Sequence, residues 1–405
     1  MVPREGRRIA VVTHGFLPLV GGAETHHALG IDGLPPQHYV RVFTSKDCLP
    51  AALARFPTTR TVELEHRRVT VTYLPSIRIL NEKVIHPISL ARELLAFHPD
   101  VIWTNEPAAS AFIAALVGRL LRTRWAVTYH ADLQQDRFAR RAFTRVEANL
   151  LRHASGIEVS TVSMAETLAR RGVRRERVTV LTPPLWPDRI DLRKGKTFEE
   201  TVPRLDENPP LILFVGGLDQ SHEYKRPDNL IRALHRVSLN GIPFRAILVG
   251  SGDRQGELER LSHDLGMKNI IHFAGRVPDD QLVHYYREAA CLVIPSEGAS
   301  EGFGLVVFEA LSWGCPVVAS TDVPAASDPR CRGAVLQFAS GDIDALAESL
   351  KEILLNPTVR EDLRQHAREI DISQINAASQ VRLCEFILGD TVSDRGGGTY
   401  DVSNS

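Results

Sequence analysis

Short, almost continuous apolar runs alternate along this chain with longer stretches that carry an apolar stripe at helical spacing. In the first half the short runs are Arg8 to Thr13, Tyr39 to Thr44, Val69 to Leu74, Val101 to Thr104, Trp125 to Tyr129 and Gly156 to Ser160. Strands with no polar face must be covered on both sides, which is the condition of a parallel sheet sandwiched by helices. The stretches Ala23 to Gly30, Pro87 to Phe97, Ala108 to Leu121 and Arg137 to His153 read as those covering helices. A polar interval from Asp188 to Pro210, rich in Lys, Glu, Asp and Pro, interrupts the rhythm. It restarts with Leu211 to Val215, Phe244 to Val249, Ile270 to Ala274, Cys291 to Pro295, Pro316 to Ser320 and Gly333 to Gln337. The pattern predicts an α/β protein with two Rossmann-like domains, residues 1–190 and 211–369, joined by a linker at 191–210. The carboxyl ends of their strands are expected to face each other across a cleft. Helical residues 370–388 end the fold, and the Gly-, Ser-, Thr- and Asp-rich tail 389–405 is expected to be disordered.

Length agrees with this division, because 405 residues exceed one ordinary α/β core. Forty-eight Lys and Arg balance 49 Asp and Glu for a net charge of −1, so nothing global points to nucleic acid as a partner. No apolar run approaches the roughly 20 residues of a membrane-spanning helix. Met1 to Arg8 lead directly into the first strand without the layout of a signal peptide. The five cysteines stand singly, with no metal-binding spacing, and read as reduced thiols of a cytoplasmic protein.

The most specific chemistry lies in Glu301-Gly302-Phe303-Gly304-Leu305-Val306-Val307-Phe308-Glu309, followed by Ala310 to Ser320. The order is loop, helix, Gly stop and buried strand. Glu301 falls on the loop leaving a strand, and Glu309 falls in the first turns of the helix. Backbone N–H groups at Phe303 to Val306 lie at that helix start, where an anion binds well. A carboxylate for hydroxyls, amides for phosphate and a second carboxylate for hydroxyls together suit a sugar nucleotide.

The block EGFGLVVFEALSWGCPVVAS resembles the E-x7-E block of the retaining family 4 glycosyltransferases, which have the GT-B fold. That resemblance implies an acceptor-binding first domain, a nucleotide-sugar-binding second domain and a final helix that crosses back to the first. It implies that Glu309 holds ribose hydroxyls, that Glu301 holds donor-sugar hydroxyls, and that the amides of Gly302, Phe303, Gly304, Leu305 and Val306 hold sugar and phosphate. In Phe214 to Pro227 the family places an Arg after the first Gly and a Lys further on, to neutralise the donor diphosphate. Here the Arg position is Gly217 and the Lys position is Lys225, with Arg226 beside it as the side chain that could supply the missing charge. His130, at the end of the strand Trp125 to Tyr129, takes the family's place for a donor-sugar contact, with Asp132 as a residue that could orient it. Gly21 and Gly22 match the family's Gly-Gly-x-Glu turn, in which Glu24 reads as a partner of the helix dipole. Gly250, in Gly250-Ser251-Gly252, lines the donor side in the family, and Arg276 and Val277 are its base-contact positions.

Read from the residues alone, several of these have ordinary alternatives. The Gly-Gly turn can be a plain strand-to-helix connection, and a lone His at a strand end can be a core residue. Gly250-Ser251-Gly252-Asp253 with Gly256 keeps open a nicotinamide-dependent oxidoreductase, although the next strand ends without the acidic residue such enzymes use. Asp342-Ile343-Asp344 is the one tempting metal pattern, and a helix cap accounts for it. The basic, amphipathic stretch Arg137 to Arg152 is either a solvated face or a peripheral contact with the inner face of a membrane. The reading implied is a retaining, metal-independent transferase with no cofactor, taking a UDP- or GDP-sugar as donor. Its acceptor is a hydroxyl of a glycan, a lipid-linked glycan or a small molecule. A non-catalytic sugar-nucleotide binder that lost its phosphate Arg is the other alternative, and an epimerase within the same fold ranks below both.

Overall fold

The structure is a computed structural model that describes residues 6–16, 22–49, 59–79, 82–105, 109–130, 146–185, 209–298 and 300–390. The chain divides into two compact units, one made of residues 1–184 with 375–405 and the other of residues 185–374.

The first unit is built on an eight-stranded sheet. Its strands are β1 (Arg8–Val12), β2 (Tyr39–Ser45), β3 (Thr59–Glu63), β4 (Arg68–Leu74), β7 (Val101–Asn105), β8 (Arg124–Tyr129), β9 (Gly156–Val159) and β10 (Val178–Val180). A separate hairpin pairs β5 (Ser76–Ile79) with β6 (Glu82–Ile85). The sheet order is β10-β9-β8-β7-β1-β2-β4-β3, parallel throughout except that β3 runs antiparallel to β4. The apolar runs of the sequence became its buried centre, where Ile9, Val11, Ile102, Trp103, Val127 and Ile157 have no appreciable exposure. Strand β3 was not anticipated. Its residues Thr-Arg-Thr-Val-Glu alternate exposed and half-buried positions at the sheet edge, so it lacks the apolar signature of the central strands.

Among the first unit's helices are α1 (Gly22–Asp32), α2 (Pro87–Phe97), α3 (Ala109–Leu121) and α4 (Val162–Arg170). The last helix of the described chain, residues Ile372–Leu388, returns most of its length to this unit. Arg124 Nη2 and Nε donate to the carbonyls of Phe386 (2.9 Å) and Ile387 (3.2 Å). Gln380 Nε2 donates to the carbonyl of Leu29 at 3.1 Å. Leu383 and Trp103 crowd Gly30 of α1, so that a β-carbon there would lie under 3 Å from both.

The second unit has six parallel strands: β11 (Leu211–Val215), β12 (Arg245–Val249), β13 (Ile271–Gly275), β14 (Cys291–Ile294), β15 (Val317–Ser320) and β16 (Val335–Phe338). Their order is β13-β12-β11-β14-β15-β16, which is the Rossmann order 3-2-1-4-5-6. The order reverses between β11 and β14, so the loops that leave those two strands diverge and open a crevice at their carboxyl ends. Helix Pro227–Leu239 shows how the covering layer forms. Its residues Leu230, Ile231, Ala233, Leu234 and Val237 are fully buried, while Arg232, His235 and Arg236 between them are not.

Candidate active site

The switch point of the second unit gathers the charged residues singled out above. The loop after β11 runs through Gly216 and Gly217 into a tight 3-10 turn at Gln220–Lys225, capped by Asp219, whose carboxylate accepts from the Ser221 backbone N–H at 3.0 Å. The loop after β14 carries Ser296 and Glu301. Lys225 Nζ donates to Glu301 Oε2 at 2.9 Å, and Ser296 Oγ donates to the same oxygen at 2.7 Å. Glu301 is 7% exposed, which makes this a nearly buried ion pair between the two diverging loops. Burial by itself would lower the Lys225 ammonium, but Glu301 and Tyr224 outweigh it and hold Lys225 above its ordinary value.

Helix α5 (Val306–Ser312) puts Glu309 on its inner face with 5% exposure. Tyr286 OH donates to Glu309 Oε2 at 3.1 Å and fixes the carboxylate. No side chain caps the start of α5 at Leu305. Phe303 stacks on Phe308 with ring centroids 5.8 Å apart, which anchors the turn through Gly302 and Gly304 to the helix.

Arg226 takes a direction the sequence did not reveal. It has a left-handed backbone, φ 50° and ψ 46°, where the 3-10 turn ends and the next helix begins. That backbone swings its guanidinium away from Glu301, onto Asp228 (3.0 Å), Asn229 (3.0 Å) and Glu297 (3.2 Å). The adjacent basic side chains therefore diverge, and Arg226 sits in a cage of acceptors.

Gly250 has a packing duty. The ladder continues past the strand ends, with Gly216 N–H bonded to the Val249 carbonyl (3.0 Å) and Gly250 N–H to the Gly275 carbonyl (2.8 Å). Gly250 has φ 141°, and a β-carbon on it would stand 1.8 Å from the Gly216 carbonyl oxygen. This backbone-on-backbone contact accounts for the glycine without a nicotinamide cofactor. Arg276 and Val277 follow β13, with Arg276 exposed. Asp342 accepts from Ala345 N–H at 2.9 Å as a helix cap, and Asp344 pairs with Arg236.

In the first unit the strand ends hold a different set. His130 follows β8, Gly22 opens α1, and Gly21, Asp132 and residues 137–145 of the basic stretch lie outside the described residues. The His130 ring lies 4.9 Å from that of His26 and 6.1 Å from that of His27. Burial first, then the two neighbouring imidazoles, push His130 well below the ordinary histidine value. Behind it, Trp103 Nε1 donates to Thr128 Oγ1 (2.9 Å), Thr128 to Glu158 Oε2 (2.6 Å), and His26 Nε2 lies 3.2 Å from that same oxygen. Glu158 is 2% exposed. Sequence reading missed His26, Glu158, Ser296 and Tyr286; the only available signal was polar residues at strand and helix ends beside those chosen.

Two parallel α/β units, the second with Rossmann order and a Lys–Glu pair at its switch point, define the GT-B class of folds. In sequence the chain is similar to glycosyltransferases of that class. Its residues 195–370 match the family described as Glycosyl transferases group 1, and residues 21–184 match the Glycosyl transferase 4-like domain. The D-rhamnosyltransferase WbpZ of Pseudomonas aeruginosa is 28% identical over 194 residues, 48% of each chain. A D-inositol 3-phosphate glycosyltransferase of Frankia alni is 30% identical over 271 residues, 58% of this chain and 64% of its own. The chain thus spans between about half and two thirds of the length of these curated relatives. Among solved structures, HepE of Anabaena in complex with UDP-glucose has a TM-score of 0.70 at 18% identity, over 93% of this chain and 99% of its own. At that identity the likeness is one of fold. Among the described residues no helix is long and apolar enough to cross a membrane.

Proposed function

We propose that this protein transfers a hexosyl group, with retention, from a UDP- or GDP-sugar to a hydroxyl of a glycan, lipid-linked or small-molecule acceptor. The observation that carries the reading is the Lys225–Glu301 pair, 2.9 Å apart at the switch point of a Rossmann-ordered sheet. Ligands of such sheets lie outside the carboxyl ends of the strands at that point.

Each residue then has a duty its surroundings suit. Glu309, fixed by Tyr286, accepts hydrogen bonds from the ribose hydroxyls. Glu301, fixed by Ser296 and Lys225, accepts from hydroxyls of the donor sugar. Lys225, kept protonated by its neighbours, stabilises the charge that grows on the diphosphate as the anomeric C–O bond breaks. The acceptor oxygen forms its bond to the anomeric carbon on the face the diphosphate leaves, and its proton passes to the departing phosphate oxygen. His130, neutral in its setting, offers a hydrogen bond to the donor sugar without adding charge. The turn at Gly302 to Val306 presents backbone N–H groups to sugar and phosphate, and Arg276 and Val277 flank the base.

Thermal melting of the purified protein with UDP-, GDP-, ADP- and dTDP-sugars and with NADH tests this. Stabilisation by one nucleotide-sugar class, lost in Glu309→Ala, is expected. Stabilisation by NADH alone would overturn the proposal.

A further inference from the structure

A diphosphate leaving group carries more charge than one lysine answers, and two of the three basic side chains in the loop after β11 are already engaged. Lys225 is paired with Glu301, and Arg226 is caged by Asp228, Asn229 and Glu297. The third is His222. Its placement follows from two consecutive glycines. The Lys225 stem lies across Gly216, with Cδ 2.8 Å from where a β-carbon would stand. The His222 ring lies across Gly217 in the same way, with Nδ1 at 2.7 Å. Both side chains also approach the Tyr224 ring, His222 with ring centroids 6.0 Å apart and Lys225 with its Nζ 5.2 Å from the centroid.

The ring is also oriented. His222 Nδ1 lies 2.9 and 2.8 Å from the two Asp219 carboxylate oxygens, so it carries the proton and donates. The opposite nitrogen, Nε2, is thereby turned away from Asp219, and the side chain is 41% exposed. Burial works against the Asp219 charge, but hydrogen bonds from Ser221 and His222 outweigh it and hold Asp219 below its usual value. Asp219 thus stays a carboxylate and keeps the ring in place. The other charged groups around this turn are Glu223, paired with Arg254 at 3.5 Å, and Asp253, which accepts from Gln220 N–H at 2.9 Å.

We propose that His222, oriented by Asp219 across the bare backbone of Gly217, is the second cation on the donor diphosphate, beside Lys225. This rests on the nucleotide-sugar reading above. Protonated, Nε2–H donates to a phosphate oxygen; unprotonated, Nε2 turns a lone pair toward an anion. A proton on the His222 ring therefore strengthens donor binding. A β-carbon at residue 217 would collide with the ring, so a side-chain cation there and His222 exclude one another.

The test is calorimetric binding of UDP and GDP, with uridine and guanosine as phosphate-free controls, at pH 6 and pH 8. The proteins compared are the unmodified chain, His222→Gln and the double variant Gly217→Arg/His222→Ala. The Gln variant keeps a donor to Asp219 but cannot take up charge. It is expected to bind the preferred diphosphate about tenfold more weakly at pH 6, the scale of one charge-assisted hydrogen bond. Nucleoside binding should not change, and the excess pH dependence of the unmodified chain should vanish. The double variant, with an arginine on the vacated backbone, should recover the affinity and show no such dependence. Equal diphosphate affinity in His222→Gln would overturn the proposal, as would a parallel loss of nucleoside and diphosphate. If the unmodified chain binds neither UDP nor GDP, the nucleotide-sugar reading itself falls.

Discussion

The carboxyl ends of the two sheets use opposite electrostatics. In the second unit, charges of opposite sign meet between loops: Lys225 on Glu301, and Arg226 on Asp228 and Glu297. There a buried ammonium is held in its charged form. In the first unit three imidazoles crowd one another above a single buried carboxylate, and His130 is driven toward its neutral form. The lesson is that one end stabilises charge while the other suppresses it, a contrast that suits the proposed sugar-nucleotide donor with its anionic phosphates and uncharged hydroxyls.

The harshest way to break the contrast is Gly250→Ala. Its β-carbon would stand 1.8 Å from the Gly216 carbonyl oxygen, at φ 141°. We expect a loss of about 3 kcal/mol or more in the second unit, read by urea denaturation. Gly241→Ala, also at positive φ (71°) but with nothing within 4 Å, should cost only about 1 kcal/mol. Similar costs for the two would discredit the backbone-contact account.

Next comes Glu301→Gln, which leaves the Lys225 ammonium buried without its counter-charge. Breaking such a pair costs about 3 kcal/mol of stability, and transfer should fall about a hundredfold in kcat. Steady-state kinetics that changed only in KM would argue for a binding role without a share in the departing charge.

A milder probe separates the units by pH. His130 is held well below the ordinary histidine value in the fold, whereas the unfolded chain takes up its proton near pH 6.5. Below that pH the unfolded state binds more protons, so stability falls as pH drops from about 6.5 toward 5, by at most about 1.4 kcal/mol per unit. His38, lowered by burial and then by Arg7 and Arg67, adds in the same direction. Denaturation at pH 7 and 5.5 should show a slope that shrinks in His130→Phe. The smallest effect concerns Cys315, whose thiol burial pushes up to about 12. It should resist alkylation at pH 8 until the second unit unfolds, and rapid labelling of the native protein would contradict its burial.

Much of the fold was legible because central parallel strands are apolar on both faces, and residues such as Ile212 to Phe214 or Val317 to Ala319 have nowhere else to go. Strand β3 was not legible, since its residues alternate between exposed and half-buried positions and it takes its pairing from β4; the β5–β6 hairpin is too short to carry a pattern of its own. In the site, Glu301, Glu309 and Lys225 could be chosen because the loop and helix signals around them were local. The direction of Arg226 could not, because it depends on a left-handed backbone at a non-glycine residue. The pairing of His26 with Glu158 spans 132 positions and exists only once β9 lies beside β8.

The return of residues 375–388 to the first unit has a consequence for the order of synthesis. The segment that supplies carbonyls to Arg124 and packs beside Gly30 is translated only after every residue of the second unit. On the ribosome, then, the unit with the charged switch point has all of its chain first, while its elder neighbour waits for its final helix. A nascent chain stalled near residue 374 would hold every residue of the second unit and an unfinished first unit.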